Sequence, residues 1–402
     1  MPVGDSLVRE KLDQAVEILR ERDVDLWLTL VRETMLTTDP CLDLIAGTYS
    51  AWTGAFMVSA NGERIAIVGR FDADSVRQLD AYEVVAYDES IRPALRAAVE
   101  RLAPASIAVN YSESDPAADG LTHGLWLILR DTLAGTPYAD RLVSSEGIVN
   151  AIRGRKSTVE IDRIRHAVHE TEEIFDLVTQ ALKPGMSELE IAAIMHAEVA
   201  ARGLGYAWGS EHCPAVNAGP EKEVGHSAPG KLHARRGELL HADFGVVRDD
   251  YASDLQRVWY LLDEGEAEAP ADVMRAWSAL WAALDAGAAA LRPGAVGWEV
   301  DSAARSTLVN AGFDEPMYAL GHQLGRSAHD GGTLLGPRWD RYGTAPLGVV
   351  EAGNVYTLEF GTAVPGRGYI GLEEDVLVTA DGVEWLSTPQ RELWLVAAQI
   401  EH

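Results

Sequence analysis

The stretch that decides the fold is residues 237–261, which read GELLHADFGVVRDDYASDLQRVWYL. Apolar segments flank the polar triplet 248–250, and this pattern predicts a β-hairpin with its turn centred between residues 248 and 249. Asp243 and Asp254 are equidistant from that centre, so we expect them to face each other with Cβ atoms about 4.5–5.5 Å apart. Because opposed carboxylates destabilise a sheet unless a cation lies between them, the hairpin predicts a metal site.

A second hairpin with the same feature is predicted further along the chain. The segments VYTLEFGT (355–362) and YIGLEEDVLVT (369–379) flank the turn sequence PGRG. Glu359 and Glu374 are equidistant from the turn centre at 366.5, so they form a second expected facing pair. For any one of these acids alone, a solvated side chain is the simpler interpretation. Two symmetric pairs inside apolar strands favour the metal site.

A histidine between the hairpins completes the expected ligand set. His322 lies in GHQLGRSAHDGG (321–332), where neighbouring glycines leave room for close approach. Four carboxylates and one imidazole suit Mn, Co or Zn better than Ca or Mg. We therefore predict two divalent metal ions (Mn, Zn or Co); two ions about 3.5–4 Å apart can activate water and polarise a carbonyl. The predicted ligands are Asp243, Asp254, His322, Glu359 and Glu374.

An internal repeat suggests that the two hairpins belong to related halves. ALKPGMSELEIAAIMHAEVAARG (181–203) resembles ALRPGAVGWEVDSAARSTLVNAG (290–312) at a constant offset of 109 residues. Two such helix-containing halves, each followed by strands, predict a pseudo-symmetric α/β domain with ligands from both halves. The alternative is chance recurrence of L-[KR]-P-G before a helix.

The length of 402 residues predicts two domains. In the first part, helical periodicity over residues 6–22 is followed by apolar strands, including 24–31 and the pair around the turn at 61–62. This alternation predicts an α/β accessory domain over residues 1–152, followed by a catalytic domain over 153–402. Ser157 and Glu160 form a capping box at the start of a long helix, as do Ser187 and Glu190.

Composition excludes several classes of partner. A net charge of −28 argues against nucleic acid and anionic membranes, which attract basic surfaces. No apolar run approaches the roughly 18 residues of a membrane helix, and the first residues lack the apolar core of a secretory signal. Cys41 and Cys213 are too few and too far apart for a disulfide framework, so we expect a cytoplasmic protein.

The motifs D-x10-D, GHxxG-x4-H, TLEFG and EED together resemble the pita-bread metallopeptidases, which include Xaa-Pro dipeptidase (prolidase), aminopeptidase P, methionine aminopeptidase and creatinase. The resemblance covers roughly residues 157–390, and the first 150 or so residues resemble the accessory domain of the prolidase, aminopeptidase P and creatinase branch. It implies a creatinase-like N-terminal α/β domain followed by a pseudo-twofold pita-bread catalytic domain, and a homodimer.

The resemblance also implies roles for individual residues. Asp243, Asp254, His322, Glu359 and Glu374 match the metal ligands, and Glu359 also matches a proton-shuttling carboxylate. His226 matches a substrate-contacting histidine, and His329 matches one that steadies the scissile carbonyl or the tetrahedral intermediate. Three further histidines match no functional position, and we expect structural roles for them: His212, His233 and His241.

The implied function is a dinuclear-metal peptidase that hydrolyses the peptide bond before proline in a small peptide, an Xaa-Pro dipeptidase. The alternatives are an aminopeptidase P that acts on longer Xaa-Pro peptides and a non-catalytic relative that binds peptides or proteins, although the intact ligand set disfavours the latter. Three departures surround the site: Tyr318 replaces a usual histidine, Leu372 an arginine and Ala363 a tyrosine. They surround the expected metal site without being ligands, so we expect them to affect substrate discrimination and not the metal chemistry.

Overall fold

The computed structural model describes residues 3–221, 225 and 228–397, and the chain divides into two compact units, Met1–Arg153 and Gly154–His402. The boundary expected from the sequence, between residues 152 and 153, lies next to this division. Helices and strands alternate in the first unit and mix in the second, which confirms the mixed α/β class. Across the described residues, every helix is too short or too polar to cross a membrane.

The first unit contains six strands and the helices that cover them. Its elements are α1 (Val3–Glu21), β1 (Leu26–Val31), α2 (Leu42–Ile45), β2 (Gly54–Ser59), β3 (Arg64–Gly69), α3 (Ala73–Gln78), β4 (Glu83–Tyr87), α4 (Arg92–Leu102), β5 (Ile107–Val109), α5 (His123–Leu133), β6 (Leu142–Ser144) and α6 (Glu146–Gly154). The strands form one sheet in the order β4-β3-β2-β1-β5-β6, with β2 antiparallel to both of its neighbours.

Side-chain alternation buries both faces of this sheet. Trp27 and Phe56 belong to one apolar cluster together with residues of α1, whereas Leu26 and Leu28 belong to a second cluster together with residues of α4 and α5. A strand that is buried on both faces needs a continuous apolar sequence, and the LWLTLV sequence of β1 supplies it.

The second unit begins with a long helix and ends with strands. Its elements are α7 (Thr158–Ala181), α8 (Glu188–Arg202), β7 (Gly205–Tyr206), β8 (Ala215–Ala218), β9 (Leu239–Phe244), β10 (Val246–Arg248), β11 (Tyr251–Ala252), β12 (Leu255–Leu261), α9 (Ala271–Ala290), α10 (Gly297–Asn310), β13 (Val355–Val364), β14 (Gly368–Thr379), β15 (Gly382–Trp385) and β16 (Trp394–Val396). The main sheet has the order β13-β14-β12-β9-β8, with β15 beside β14 and β16 beside β12.

Both predicted capping boxes form hydrogen bonds. The Ser157 hydroxyl accepts from the Glu160 N–H at the start of α7, and the Ser187 hydroxyl accepts from the Glu190 N–H at the start of α8. In each box the glutamate side chain accepts from the serine N–H in return. Local sequence therefore sets where these two helices begin.

The two copies of the repeat adopt matching local structures. Helices α8 and α10 begin at equivalent positions, Glu188 and Gly297, given the offset of 109 residues. The glycine before each helix has a positive φ, 94° at Gly185 and 86° at Gly294. Each of these glycines donates its N–H to a distant backbone carbonyl, at 2.7 and 2.9 Å respectively. The shared geometry agrees with two related halves.

The first hairpin has a different register from the predicted one. Arg248 pairs with Tyr251 around a two-residue turn, whose residues Asp249 and Asp250 have φ of 51° and 67°. The true centre is therefore one residue later than expected, and Asp243 pairs with Gln256. The prediction that Asp243 directly faces Asp254 is wrong, although Asp254 lies two residues before Gln256 and so shares its face of the sheet.

The second hairpin also departs from the prediction. Val364 pairs with Gly368, which leaves a turn of three residues instead of four. Glu359 consequently pairs with Glu373. The prediction that Glu359 faces Glu374 is wrong, and because side chains alternate along a strand, this one-residue shift turns Glu374 to the opposite face.

Candidate metal centre

Five polar side chains from separate segments of the second unit come together beside the main sheet. The Nε2 atom of His322 lies 3.8 Å from an oxygen of Glu359, 3.8 Å from one of Glu373 and 3.9 Å from one of Asp254. Asp243 is a close neighbour, because its carboxyl group interacts with that of Asp254. These distances from His322 to the carboxylate oxygens are too long for hydrogen bonds. Possible ligand atoms of Asp254, His322 and Glu373 all lie within 4.8 Å of one another, a spacing that suits a shared ion.

The segment that carries His322 runs alongside β13 like an additional strand. Thr357 donates its N–H to the His322 carbonyl at 3.0 Å, and Glu359 donates its N–H to the Leu320 carbonyl at 2.7 Å. Gly321 is required between them, because a Cβ atom there would lie 1.9 Å from the Thr357 carbonyl oxygen. The backbone thereby places the imidazole next to Glu359.

The prediction that Glu374 joins this group requires correction. Its carboxylate is fully buried on the other side of β14, where it accepts from both Nη atoms of Arg257 at 3.1 and 3.2 Å. The Ser387 hydroxyl and the Gln390 N–H also donate to it, at 2.6 and 2.9 Å. With its oxygens occupied, Glu374 stabilises this part of the core, and we replace it with Glu373 in the proposed ligand set.

Of the two predicted catalytic histidines, the structure describes His329. The His329 ring lies against the His322 ring, with centroids 4.2 Å apart and planes inclined by 64°. His226 lies outside the described residues. The proximity of His329 agrees with its expected role beside the reacting carbonyl, which stays a prediction.

The three departures from the family pattern occupy different surroundings. Tyr318 is half-buried near the site, and its phenol forms a hydrogen bond of 2.9 Å with that of Tyr369. Ala363 is exposed on β13, and Leu372 lies in the apolar core. Since Glu373 replaces Glu374, the position two residues before the site glutamate becomes Gly371.

Burial and mutual repulsion make the metal-free site electrostatically unfavourable. Burial raises the pKa of Asp243 to about 7 and that of Glu359 to about 8. Burial and the neighbouring carboxylates raise the pKa values of Asp254 and Glu373 well above their ordinary range. Burial lowers the pKa of His322 to about 3, which keeps its imidazole neutral and able to bind a metal.

The residues present fit a bound cation. Oδ1 of Asp243 and Oδ1 of Asp254 are buried, and neither has a hydrogen-bond partner among the described residues. Such orphaned oxygens are costly unless a positive charge satisfies them. A divalent ion would relieve both the missing contacts and the repulsion between the acids.

We expect a divalent metal to raise the melting temperature more at about pH 8 than at about pH 5. Asp243 and Glu359 have folded-state pKa values of about 7 and 8, above the ordinary 3.8 and 4.5. Their protonation stabilises the metal-free fold below about pH 4, and this contribution is lost as pH rises through 7 to 8. Because the metal replaces those protons, it binds more strongly as pH rises.

Differential scanning fluorimetry with added Mn²⁺, compared with EDTA at each pH, measures this difference. Constant ionic strength removes the effect of screening on the exposed acids. A metal-induced shift that is constant or that shrinks with increasing pH would contradict the proposed protonation of the site.

The chain is similar to known proteins in sequence and in fold. Over 255 residues the chain is 29% identical to "Putative dipeptidase YkvY" of Bacillus subtilis (strain 168), a stretch that covers 63% of this chain and 66% of that relative. The chain thus spans just under two thirds of the length of that curated relative.

Two solved structures resemble nearly the whole chain. The "Xaa-Pro dipeptidase from Bacillus anthracis" matches with a TM-score of 0.74 and 20% identity, and covers 97% of this chain and 100% of its own. Dipeptidase PepE from Mycobacterium ulcerans matches with a TM-score of 0.72 and 22% identity, and the match covers 98% of this chain and 99% of that one. These similarities confirm the expected fold, an N-terminal α/β domain followed by a pita-bread catalytic domain.

The family assignment rests on a match in the unit that contains the candidate centre. The model of metallopeptidase family M24 matches residues 162–380, which is more than half of the chain and includes all five gathered side chains. This chain belongs to metallopeptidase family M24.

Proposed function

We propose that this protein is a metal-dependent peptidase that hydrolyses Xaa-Pro dipeptides, in the cytoplasm and as a homodimer. The observation that carries the proposal is the convergence of the Asp254, Glu359 and Glu373 carboxylates on the neutral imidazole of His322, with the Asp243 carboxyl group beside that of Asp254. Clustered acids beside a neutral imidazole suit a metal, and family M24 is a family of metallopeptidases.

The proposed chemistry divides roles between the metal and the chain. Asp243, Asp254, His322, Glu359 and Glu373 would hold two divalent ions of the Mn, Zn or Co type, which when bound lower the pKa of water and polarise a carbonyl. The Glu359 carboxylate takes the proton from the attacking water and delivers it to the leaving nitrogen. His329 stabilises the negative charge that develops on the carbonyl oxygen. His226 contacts the substrate.

Proline specificity is a separate part of the proposal. It is drawn from the resemblance of the motifs and from solved structures that are named Xaa-Pro dipeptidase and prolidase. An "X-Pro aminopeptidase from Thermotoga maritima" has the same fold, which keeps action on longer Xaa-Pro peptides as the second candidate.

A panel of three related peptides separates these possibilities. We expect the enzyme supplied with Mn²⁺, Co²⁺ or Zn²⁺ to cleave Ala-Pro faster than Ala-Leu and Ala-Pro-Ala, and EDTA to abolish cleavage. Faster cleavage of Ala-Pro-Ala would favour the aminopeptidase P activity, and faster cleavage of Ala-Leu would refute proline specificity. No cleavage of any peptide with any metal would refute the peptidase proposal.

A further inference from the structure

A chain of buried hydrogen bonds leads from the interior of the sheet to the two site glutamates. The amide nitrogen of Gln256 lies 2.8 Å from a carboxylate oxygen of Glu373 and 3.4 Å from one of Glu359. The amide oxygen of Gln256 lies 2.8 Å from Nε2 of His241, and Nδ1 of His241 lies 3.1 Å from the amide nitrogen of Asn217. Neither His241 nor Asn217 hydrogen-bonds directly to the five gathered side chains.

The chemistry of the groups fixes the direction of every bond in this chain. A carboxylate that holds a metal is ionised and can only accept, so in the metal-binding form Gln256 must present its NH₂ group to Glu359 and Glu373. Its oxygen then faces His241, which must donate from Nε2. A neutral imidazole that donates from Nε2 accepts at Nδ1, and the NH₂ group of Asn217 supplies that hydrogen bond.

The surrounding structure keeps this arrangement rigid. Asn217, His241 and Gln256 are each at least nine-tenths buried, and the His241 ring meets the Tyr369 ring edge-on at 5.4 Å. The backbone leaves space for the His241–Gln256 contact at Gly371, where a Cβ atom would lie 2.3 Å from the Gln256 oxygen and 2.5 Å from Nε2 of His241. Any other residue at position 371 would displace one of these two side chains.

We propose that Gln256 is a positioning residue that clamps Glu359 and Glu373 in the geometry that binds the metal, and that His241 acts on the site solely by orienting the Gln256 amide. This inference deepens the proposed function and rests on its metal site. Hydrogen bonds to metal-binding carboxylates commonly change metal affinity by 10–100-fold when they are removed.

The test is a double-mutant cycle read by Mn²⁺ affinity of the metal-free protein in titration calorimetry. Gln256→Met keeps approximate volume but removes both donors, and we expect it to weaken Mn²⁺ binding by roughly 10–100-fold. His241→Phe removes the orienting hydrogen bond, and we expect a smaller loss. The double variant should bind Mn²⁺ as Gln256→Met does, within about twofold, because the hydrogen bond that links His241 to the site glutamates runs through Gln256.

Two further variants separate orientation from packing. His241→Gln retains a donor towards Gln256, and it should recover most of the affinity that His241→Phe loses. His196→Phe is the matched control, since His196 also hydrogen-bonds through Nε2, to the Cys213 carbonyl, and also meets a tyrosine ring edge-on, at 5.3 Å. It should bind Mn²⁺ as the wild type does.

Each outcome decides the inference. The inference is overturned if the fold losses of Mn²⁺ affinity in the single variants multiply in the double variant, or if Gln256→Met binds Mn²⁺ as the wild type does. It is also overturned if His196→Phe loses as much Mn²⁺ affinity as His241→Phe. If His241→Phe fails to fold, Asn217→Ala replaces it in the cycle, with the same expected non-additivity. A wild type that binds Mn²⁺ but cleaves no peptide refutes the proposed function alone, whereas one that binds no divalent ion refutes both.

Discussion

Replacing Asp254 with asparagine is expected to abolish metal loading and to lower peptidase turnover by on the order of a thousandfold or more. Asp254 is buried, and one of its oxygens lies 3.9 Å from Nε2 of His322 while the other has no hydrogen-bond partner among the described residues. Asparagine keeps the shape but removes the negative charge that attracts the ion. Losing about 4 kcal/mol of the transition-state stabilisation that the metal supplies corresponds to roughly a thousandfold in rate.

The matched control for this variant is Asp250→Asn in the same hairpin. Asp250 lies at the exposed turn with φ of 67°, a conformation that asparagine tolerates. Turnover is measured with the Ala-Pro substrate at saturating Mn²⁺, and metal content by mass spectrometry. We expect Asp250→Asn to match the wild type in both. Full activity of Asp254→Asn would contradict the placement of the metal centre.

The second large effect is expected at two adjacent glutamates of β14, for which we predict different roles. Glu373→Gln should lower turnover by roughly a thousandfold or more, as Asp254→Asn does, because Glu373 lies 3.8 Å from Nε2 of His322. Glu374→Gln should retain metal and should keep turnover within roughly tenfold of the wild type, since Glu374 lies outside the proposed ligand set. The two substitutions are chemically identical, so each variant is the control for the other.

Glu374→Gln should instead lower the free energy of unfolding. Arg257, which is 2% exposed, donates from two atoms to the Glu374 carboxylate and would lose its closest counter-charge. Breaking a buried ion pair from one side typically costs about 3–5 kcal/mol. Urea denaturation of the metal-free proteins measures this cost. A stability loss in Glu373→Gln that exceeds the loss in Glu374→Gln would contradict the assigned roles.

The fold was largely predictable because its local signals agree with each other. Ser157 and Ser187 begin helices with capping boxes, and the repeated L-[KR]-P-G segments precede equivalent helices. Continuous apolar runs such as LWLTLV predict strands that are buried on both faces. These signals depend on near neighbours in sequence, so they can be interpreted without knowledge of tertiary packing.

Hairpin register was the part of the site that spacing alone could not determine. Equal distance from an assumed turn centre placed Glu374 opposite Glu359, but a three-residue turn moves every pair by one position. The alternation of side chains along β14 indicates the correct face for each glutamate. Leu372 and Val376 share a face with Glu374, and both belong to the apolar core. That pattern assigns Glu373 to the opposite face, which carries the candidate site.

Residues that act through others left no signal in the sequence. His241 matches no functional position, and a structural role was expected for it. Its connection to the site depends on Gln256 and on the space at Gly371, which come from a neighbouring strand and from a third strand respectively. Only the assembled sheet brings these three positions together.

The metal content of Glu373→Gln and Glu374→Gln, purified in parallel and loaded with Mn²⁺, is the most direct test of the proposed centre. We expect mass spectrometry to find Glu373→Gln depleted of metal and Glu374→Gln loaded to the level of the wild type. Normal loading of Glu373→Gln together with depletion of Glu374→Gln would contradict the assignment of Asp243, Asp254, His322, Glu359 and Glu373 as the metal ligands.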